Sequence, residues 1–128
     1  MPLRKLFNLI PTPAPFSEQS RADQLKERLD WGEPALTIVD ARNRSDYQKI
    51  HITGAVPMPM PESLTLATQT LESDRDIYIY AATDDETAEV ARQLRQAGFQ
   101  RVSELRGGVA AWQAFGYPVD ANVAEGSV

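Results

Sequence analysis

The stretch Ile77-Tyr78-Ile79-Tyr80-Ala81-Ala82-Thr83-Asp84-Asp85-Glu86-Thr87 decides the fold. Its first four residues are β-branched or aromatic and stop at a short polar turn, the pattern of a buried strand. Beyond the turn Val90, Ala91, Leu94 and Ala97 recur on one helical face up to Gly98, a favourable residue just past a helix end. A strand whose end loop opens a helix is where α/β proteins seat ligands, because the first-turn N–H groups are unpaired and point outward. Here that loop holds three consecutive acids and no thiol.

Working outward, the same alternation repeats on both sides. Upstream, Ser20 and Asp23 have the spacing of a capping box, and Ala22, Leu25 and Leu29 continue with helical spacing until Gly32 and Pro34 stop the segment. Leu36-Thr37-Ile38-Val39 reads as a second buried strand, ending at Asp40-Ala41-Arg42. Residues 45–50 have room for about two helical turns. Val56 to Pro61 alternates proline with apolar residues, which suits a sheet edge, and Glu62 to Leu71 reads as a helix with Leu64 and Leu71 toward the core. Downstream, Val102 to Leu105 is the last strand candidate. Arg106-Gly107-Gly108 then leads to a helix over Val109 to Phe115, with Trp112 and Phe115 spaced as a core-facing stripe and Gly116 closing it. Strands and helices alternating at these lengths call for a parallel sheet covered on both faces.

The 128 residues suit one domain, and 42% hydrophobic residues suffice for a single core. Residues 17–120 form that domain. It is preceded by residues 1–16, a tail and a proline-stiffened linker (Pro11, Pro13, Pro15), and followed by a polar tail over 121–128. A formal charge of −5 disfavours a sequence-independent grip on nucleic acid or anionic lipid. The chain has no cysteine and one histidine, so thiolate chemistry and cysteine- or histidine-rich metal centres are excluded. No cofactor is expected. The apolar run at the N-terminus is too short and interrupted to span a membrane, and a cytoplasmic location is the default. Leu3, Leu6, Phe7 and Ile10 share a helical face, which leaves a membrane-surface contact through residues 1–10 open beside the plainer reading of a tail.

Several short motifs carry a family likeness. Val39-Asp40-Ala41-Arg42 with Asp46-Tyr47, then His51-Ile52-Thr53-Gly54-Ala55, Gly98-Phe99 with Val102 and Leu105, Gly107-Gly108, and Ala111-Trp112 with Gly116, Pro118 and Val119 resemble, in order and spacing, the rhodanese domain. The likeness covers about residues 20 to 119. It implies a central parallel sheet of about five strands with helices on both faces. In active members of that family a cysteine that carries a persulfide directly follows the strand corresponding to Ile77–Tyr80. The matching position is Ala81. The family's loop also usually supplies an arginine near its far end, where this chain has Glu86.

An alanine methyl has neither an ionisable proton nor a lone pair, so Ala81 cannot do persulfide chemistry. Asp84, Asp85 and Glu86 place about three negative charges where an anionic substrate would sit. Two readings of the loop Ala81, Ala82, Thr83, Asp84, Asp85, Glu86 and Thr87 stand side by side. Thr83 with Glu86 matches a capping box, and first-turn carboxylates interact favourably with the helix dipole, by about 0.3–1 kcal/mol each. Alternatively the acidic turn docks a basic protein partner. A metal site is disfavoured, since three adjacent acids rarely converge on one ion. Asp40 and Arg42 are expected to tie the strand end to the next turn, and with His51 to form a structural rim. The expectation is a catalytically inactive rhodanese-like domain acting as a protein-binding or regulatory module. The alternatives are an enzyme using the loop for non-thiol chemistry, with Thr83 or Thr87 and His51 as its groups, or a residual sulfurtransferase-related role with a partner.

Overall fold

The computed structural model describes residues 15–32 and 35–121. The expectations for residues 1–14, Pro34 and the tail beyond residue 121 lie outside them. Strand β1 (Gln19–Ser20) leads to helix α1 (Ala22–Trp31), then β2 (Leu36–Asp40), α2 (Arg44–Lys49), β3 (His51–Ile52), β4 (Val56–Pro57) and α3 (Ser63–Thr70). The second half runs β5 (Asp76–Tyr80), α4 (Asp84–Gln96), β6 (Val102–Leu105), α5 (Gly108–Ala114) and β7 (Val119–Asp120). Five strands make one parallel sheet in the order β1-β6-β5-β2-β4. The fold is therefore α/β with a five-stranded parallel sheet, and the expected topology of alternating strands and helices is the observed one.

β5 is central, between β2 and β6, which explains why its residues are apolar on both sides. Ile77, Ile79 and Ala81 join Val39, Val90, Ala91, Leu94 and Val102 in a core beneath α3 and α4. Tyr78 and Tyr80 point the other way, with Leu25, Ile38, Leu105 and Trp112, under α1 and α5. Alternation along a strand puts successive side chains on opposite faces, so one five-residue segment nucleates both layers. Ile77, Ile79 and Tyr80 are wholly buried; such burial contributes roughly 1.5–3 kcal/mol for each large apolar side chain.

Several local expectations are corrected. Ser20 does not cap α1: it lies in β1, an edge strand whose hydroxyl meets the Ser103 hydroxyl in the interior. The cap is Arg21, whose N–H donates to Gln24 Oε1 at 2.8 Å. A two-residue strand held by backbone pairing carries no periodicity to read. Leu29, Ala97 and Phe115 continue helical stripes but lie past the strip the sheet covers, and all three are exposed, Phe115 by 55%. Phe115 stacks instead on the Tyr117 ring at 5.1 Å. Arg95 pairs with Glu104 and Arg101 with Asp76. His51 is part of a second, antiparallel two-stranded ladder that joins β3 to β7.

Because all five strands run parallel, the C-terminal ends of β2, β5 and β6 reach the same edge of the sheet. Their loops, residues 41–43, 81–83 and 106–107, gather there, the usual ligand edge of an open α/β sheet.

Candidate functional site

The loop after β5 is held from within. Thr83 is the N-cap of α4, and its hydroxyl accepts the Glu86 N–H at 3.1 Å. The reciprocal half of the expected capping box, from the Glu86 carboxylate, is not made. Thr87, one turn into the helix and 2% exposed, accepts the Ala81 N–H at 2.8 Å and donates to the Thr83 carbonyl at 2.9 Å. A single buried hydroxyl thus closes the loop across its base.

The β2 end is equally tied. Asp40, wholly buried, accepts from the Arg42 backbone N–H at 2.9 Å and from its guanidinium at 2.8–3.2 Å. Arg42 Nη2 also donates to the Ile50 carbonyl. The expected tie between strand end and following turn is therefore present. Burial opposes the Arg42 charge, but the Asp40 hydrogen bonds and charge prevail and hold its pKa above the ordinary value. Burial and the adjacent Asp40 carboxylate push the Tyr80 phenol far upward, so it stays neutral and accepts the Ile52 N–H at 3.2 Å.

Between these loops lies a cleft of about 270 Å³ lined by Arg42, Asp46, Ala81, Ala82, Gly107, Gly108, Val109 and Ala110. Ala81, 6% exposed, contributes at the end of β5, the position that the resemblance matches to the family's cysteine. The opposite wall is the β6–α5 turn. Gly107 has φ +79° and Gly108 φ +52°, and a Cβ on Gly108 would lie 3.5 Å from the Ala81 carbonyl oxygen, so the turn follows the strand end closely.

The three acids do not act alike. Asp84 turns away from its own helix and accepts the Gly107 N–H at 2.9 Å, and Arg106 Nη2 stands 3.4 Å from its other oxygen. Sequence reading missed this cation; its one signal is its place directly after a strand end, at the edge where the other loops converge. Asp85 is exposed and Glu86 half-exposed, and among the described residues neither carboxylate has an ion-pair partner. The expected block of three like charges is therefore, among the described residues, two carboxylates without an ion-pair partner and one that is hydrogen-bonded and faces a cation.

Of the remaining site residues, Thr83, Asp84, Asp85, Glu86 and Thr87 belong to the turn and helix start rather than to the cleft lining. His51 does not line the cleft: its ring stacks on Tyr47 at 3.8 Å and its Nδ1 meets the Tyr47 carbonyl at 2.8 Å. Its Nε2 lies 3.9 Å from Asp120. No hydrogen bond among the described residues joins His51 to Thr83 or Thr87, and both hydroxyls are engaged by backbone groups. Among the described residues no cluster of three or more His, Asp or Glu side chains could hold a metal ion, and no helix is long and apolar enough to cross a membrane. Chemically, the site offers a concave floor without a nucleophile, a buried and neutralised guanidinium, and an acidic shoulder.

Known proteins share this architecture. The family model of the rhodanese-like domain matches residues 21–115. A protein of Allochromatium vinosum named sulfurtransferase is 31% identical over 98 residues, which cover 77% of this chain and 90% of that protein. The HTH-type transcriptional regulator Rv0324 of Mycobacterium tuberculosis is 35% identical over 109 residues, 84% of this chain and 46% of the regulator, so the chain spans less than half of that relative. Among solved structures, the solution NMR structure of the rhodanese-like domain of the Anabaena protein Alr3790 is 50% identical, covers 83% of this chain and 80% of that one, and superposes with a TM-score of 0.79. The matched segment runs from the cap of α1 to the end of α5 and includes every wall of the cleft, and on that ground this chain belongs to the rhodanese-like domain family.

Proposed function

We propose that this chain is a catalytically inactive rhodanese-like domain that works as a protein-binding or regulatory module, its contact surface being the 81–87 turn and the rim around it. The observation that carries the reading is the pairing of an intact cleft with a floor that has no nucleophile: Ala81 stands at the end of β5, and the chain contains no cysteine. Persulfide transfer needs a low-pKa, polarisable sulfur. The hydroxyls nearest to that position, Thr83 and Thr87, are committed to cap and loop hydrogen bonds, which weakens the case for a substitute nucleophile.

The Asp85 and Glu86 carboxylates favour a partner with basic side chains, because among the described residues they have no ion-pair partner to displace and they attract cations over about a Debye length. A relative named as a transcriptional regulator carries this domain as less than half of its length, which is in keeping with a domain that senses or docks while another part acts. A cytoplasmic setting, without nucleic acid or a membrane-spanning role for this domain, belongs to the same reading.

The test is thiosulfate:cyanide sulfurtransferase activity of the purified chain. The expected result is no turnover above a heat-inactivated control; clear turnover would overturn the inactive assignment.

A further inference from the structure

Among the described residues, Glu104 is the one buried acid of the central sheet with an oxygen that receives no hydrogen bond. It lies in β6 with its side chain 7% exposed, and Arg95 Nη1 donates to its Oε2 at 3.1 Å. Its Oε1 is wholly buried and receives no hydrogen bond. A carboxylate oxygen left without a donor in the interior costs free energy, so such atoms are rare and attract whatever donor can reach them. Arg106 Nη1 stands 3.9 Å from that oxygen, while the other terminal nitrogen of the same guanidinium faces Asp84 at 3.4 Å. Neither distance is that of a charge-assisted hydrogen bond, which closes at about 2.7–2.9 Å. The guanidinium is shared between two acids and fully engaged by neither.

We propose that Arg106 is an exchangeable counter-ion that lets the acidic turn accept a cationic side chain of a protein partner. A lysine that docks beside Asp85 and Glu86 takes the Asp84 carboxylate. The released Arg106 then moves by about 1 Å onto Glu104 Oε1 to reach bonding distance. The partner's cation does not have to strand a guanidinium, because an acceptor is already waiting. Arg106 faces Asp84 Oδ2 and directly precedes Gly107, whose N–H donates to Oδ1 of the same carboxylate, so its movement is felt on the opposite wall of the cleft. This rests on the docking role proposed above for the turn, and goes further by naming the partner's chemistry and the residue that moves.

The experiment uses the full chain, hexalysine as probe, and NMR of the Arg106 Nε–H and Gly107 amide. In the wild type, hexalysine is expected to shift both resonances together. In Asp84→Asn without peptide, the Arg106 Nε–H is expected to appear already near its peptide-saturated position, since the guanidinium has moved to Glu104. Glu104→Gln is expected to weaken hexalysine binding on the order of fivefold, the size of one modest ion pair, while Glu89→Gln, which removes the same charge from the exposed face of α4, changes it far less. Absence of any hexalysine binding to the wild type would overturn both the docking role and the exchange. Binding that persists with an unmoved Arg106 resonance, or equally in Glu104→Gln and Glu89→Gln, would overturn the exchange and leave the docking surface standing.

Discussion

The hydroxyl of Thr87 receives the Ala81 N–H at 2.8 Å and passes its own proton to the Thr83 carbonyl at 2.9 Å. This bridge closes the loop across its base, while Asp84 ties the turn to the facing wall. Replacing the hydroxyl by a methyl of similar size leaves a buried N–H without its partner. Thr87→Val is therefore expected to destabilise the domain by about 1–3 kcal/mol, seen as a fall of several degrees in Tm, whereas Thr87→Ser stays near the wild type. A Thr87→Val melting curve that overlays the wild type would mean that the helix dipole and the Thr83 cap suffice to hold the loop.

The turn on the other side of the cleft depends on an absent side chain. At Gly107, φ is +79° and a Cβ would come within 2.6 Å of the Ala111 Cβ, one helical turn on. Left-handed backbone costs a non-glycine residue about 1–2 kcal/mol, and the overlap adds an overpacking cost of similar order. Gly107→Ala is expected to lower stability by about 2–4 kcal/mol in urea denaturation. Pairing it with Ala111→Gly relieves only the steric part, so the double variant should still fall short of Ala111→Gly alone. Full equality of the two would assign no cost to the backbone conformation.

At the opposite end of the sheet, Asp76 joins Arg28 at 2.8 Å and also Arg101, while Arg28 donates to the Tyr78 hydroxyl at 3.0 Å. Burial pushes the Asp76 carboxyl up, but the hydrogen bonds from Arg101 and Arg28 outweigh it and leave its pKa below the ordinary value. A carboxyl depressed in the folded state gives stability that is fully present above its unfolded pKa of about 3.9 and is lost as the pH falls through the folded value. Asp76→Asn is expected to destabilise the chain at neutral pH by about 1–3 kcal/mol and to flatten the loss of stability below about pH 4. Parallel acid limbs for variant and wild type would show that other carboxyls govern acid unfolding.

How much of this was legible in the sequence depends on what kind of signal each feature leaves. β5 could be read from Ile77 to Tyr80 because both its faces are buried, so every position reports burial. Val90, Ala91 and Leu94 gave α4 because a helix on a sheet has one covered stripe. β1 left no trace: its pairing with β6 is made by backbone, and Ser20 is polar because it meets Ser103. The site divides in the same way. Thr83 as a cap and Asp40 with Arg42 as a tie are local in sequence and were read from spacing. Arg106 against Asp84 is an encounter between loops distant along the chain, which only the sheet topology brings together. The acidic turn therefore looked more strongly charged in one dimension than it is in three.

The resemblance implies two departures from the active pattern in the loop, Ala81 and Glu86, and a third obstacle stands beside them in space. Ala81→Cys with Glu86→Arg restores a thiol on the floor of an existing cleft and a cation at the far end of the loop. A thiolate there would attack the outer sulfur of thiosulfate, forming a persulfide and releasing sulfite. The structure adds that Asp84 already occupies the Gly107 N–H and the Arg106 guanidinium, donors that an incoming anion would need. The double variant is thus expected to take up less than one sulfur per chain after incubation with thiosulfate, and the triple variant that adds Asp84→Asn to approach one, measured by intact-protein mass spectrometry. Equal and complete loading of the double and triple variants would show that Asp84 is no obstacle. No loading of either would mean that the position of Ala81, held by Thr87, does not present a sulfur to the cleft.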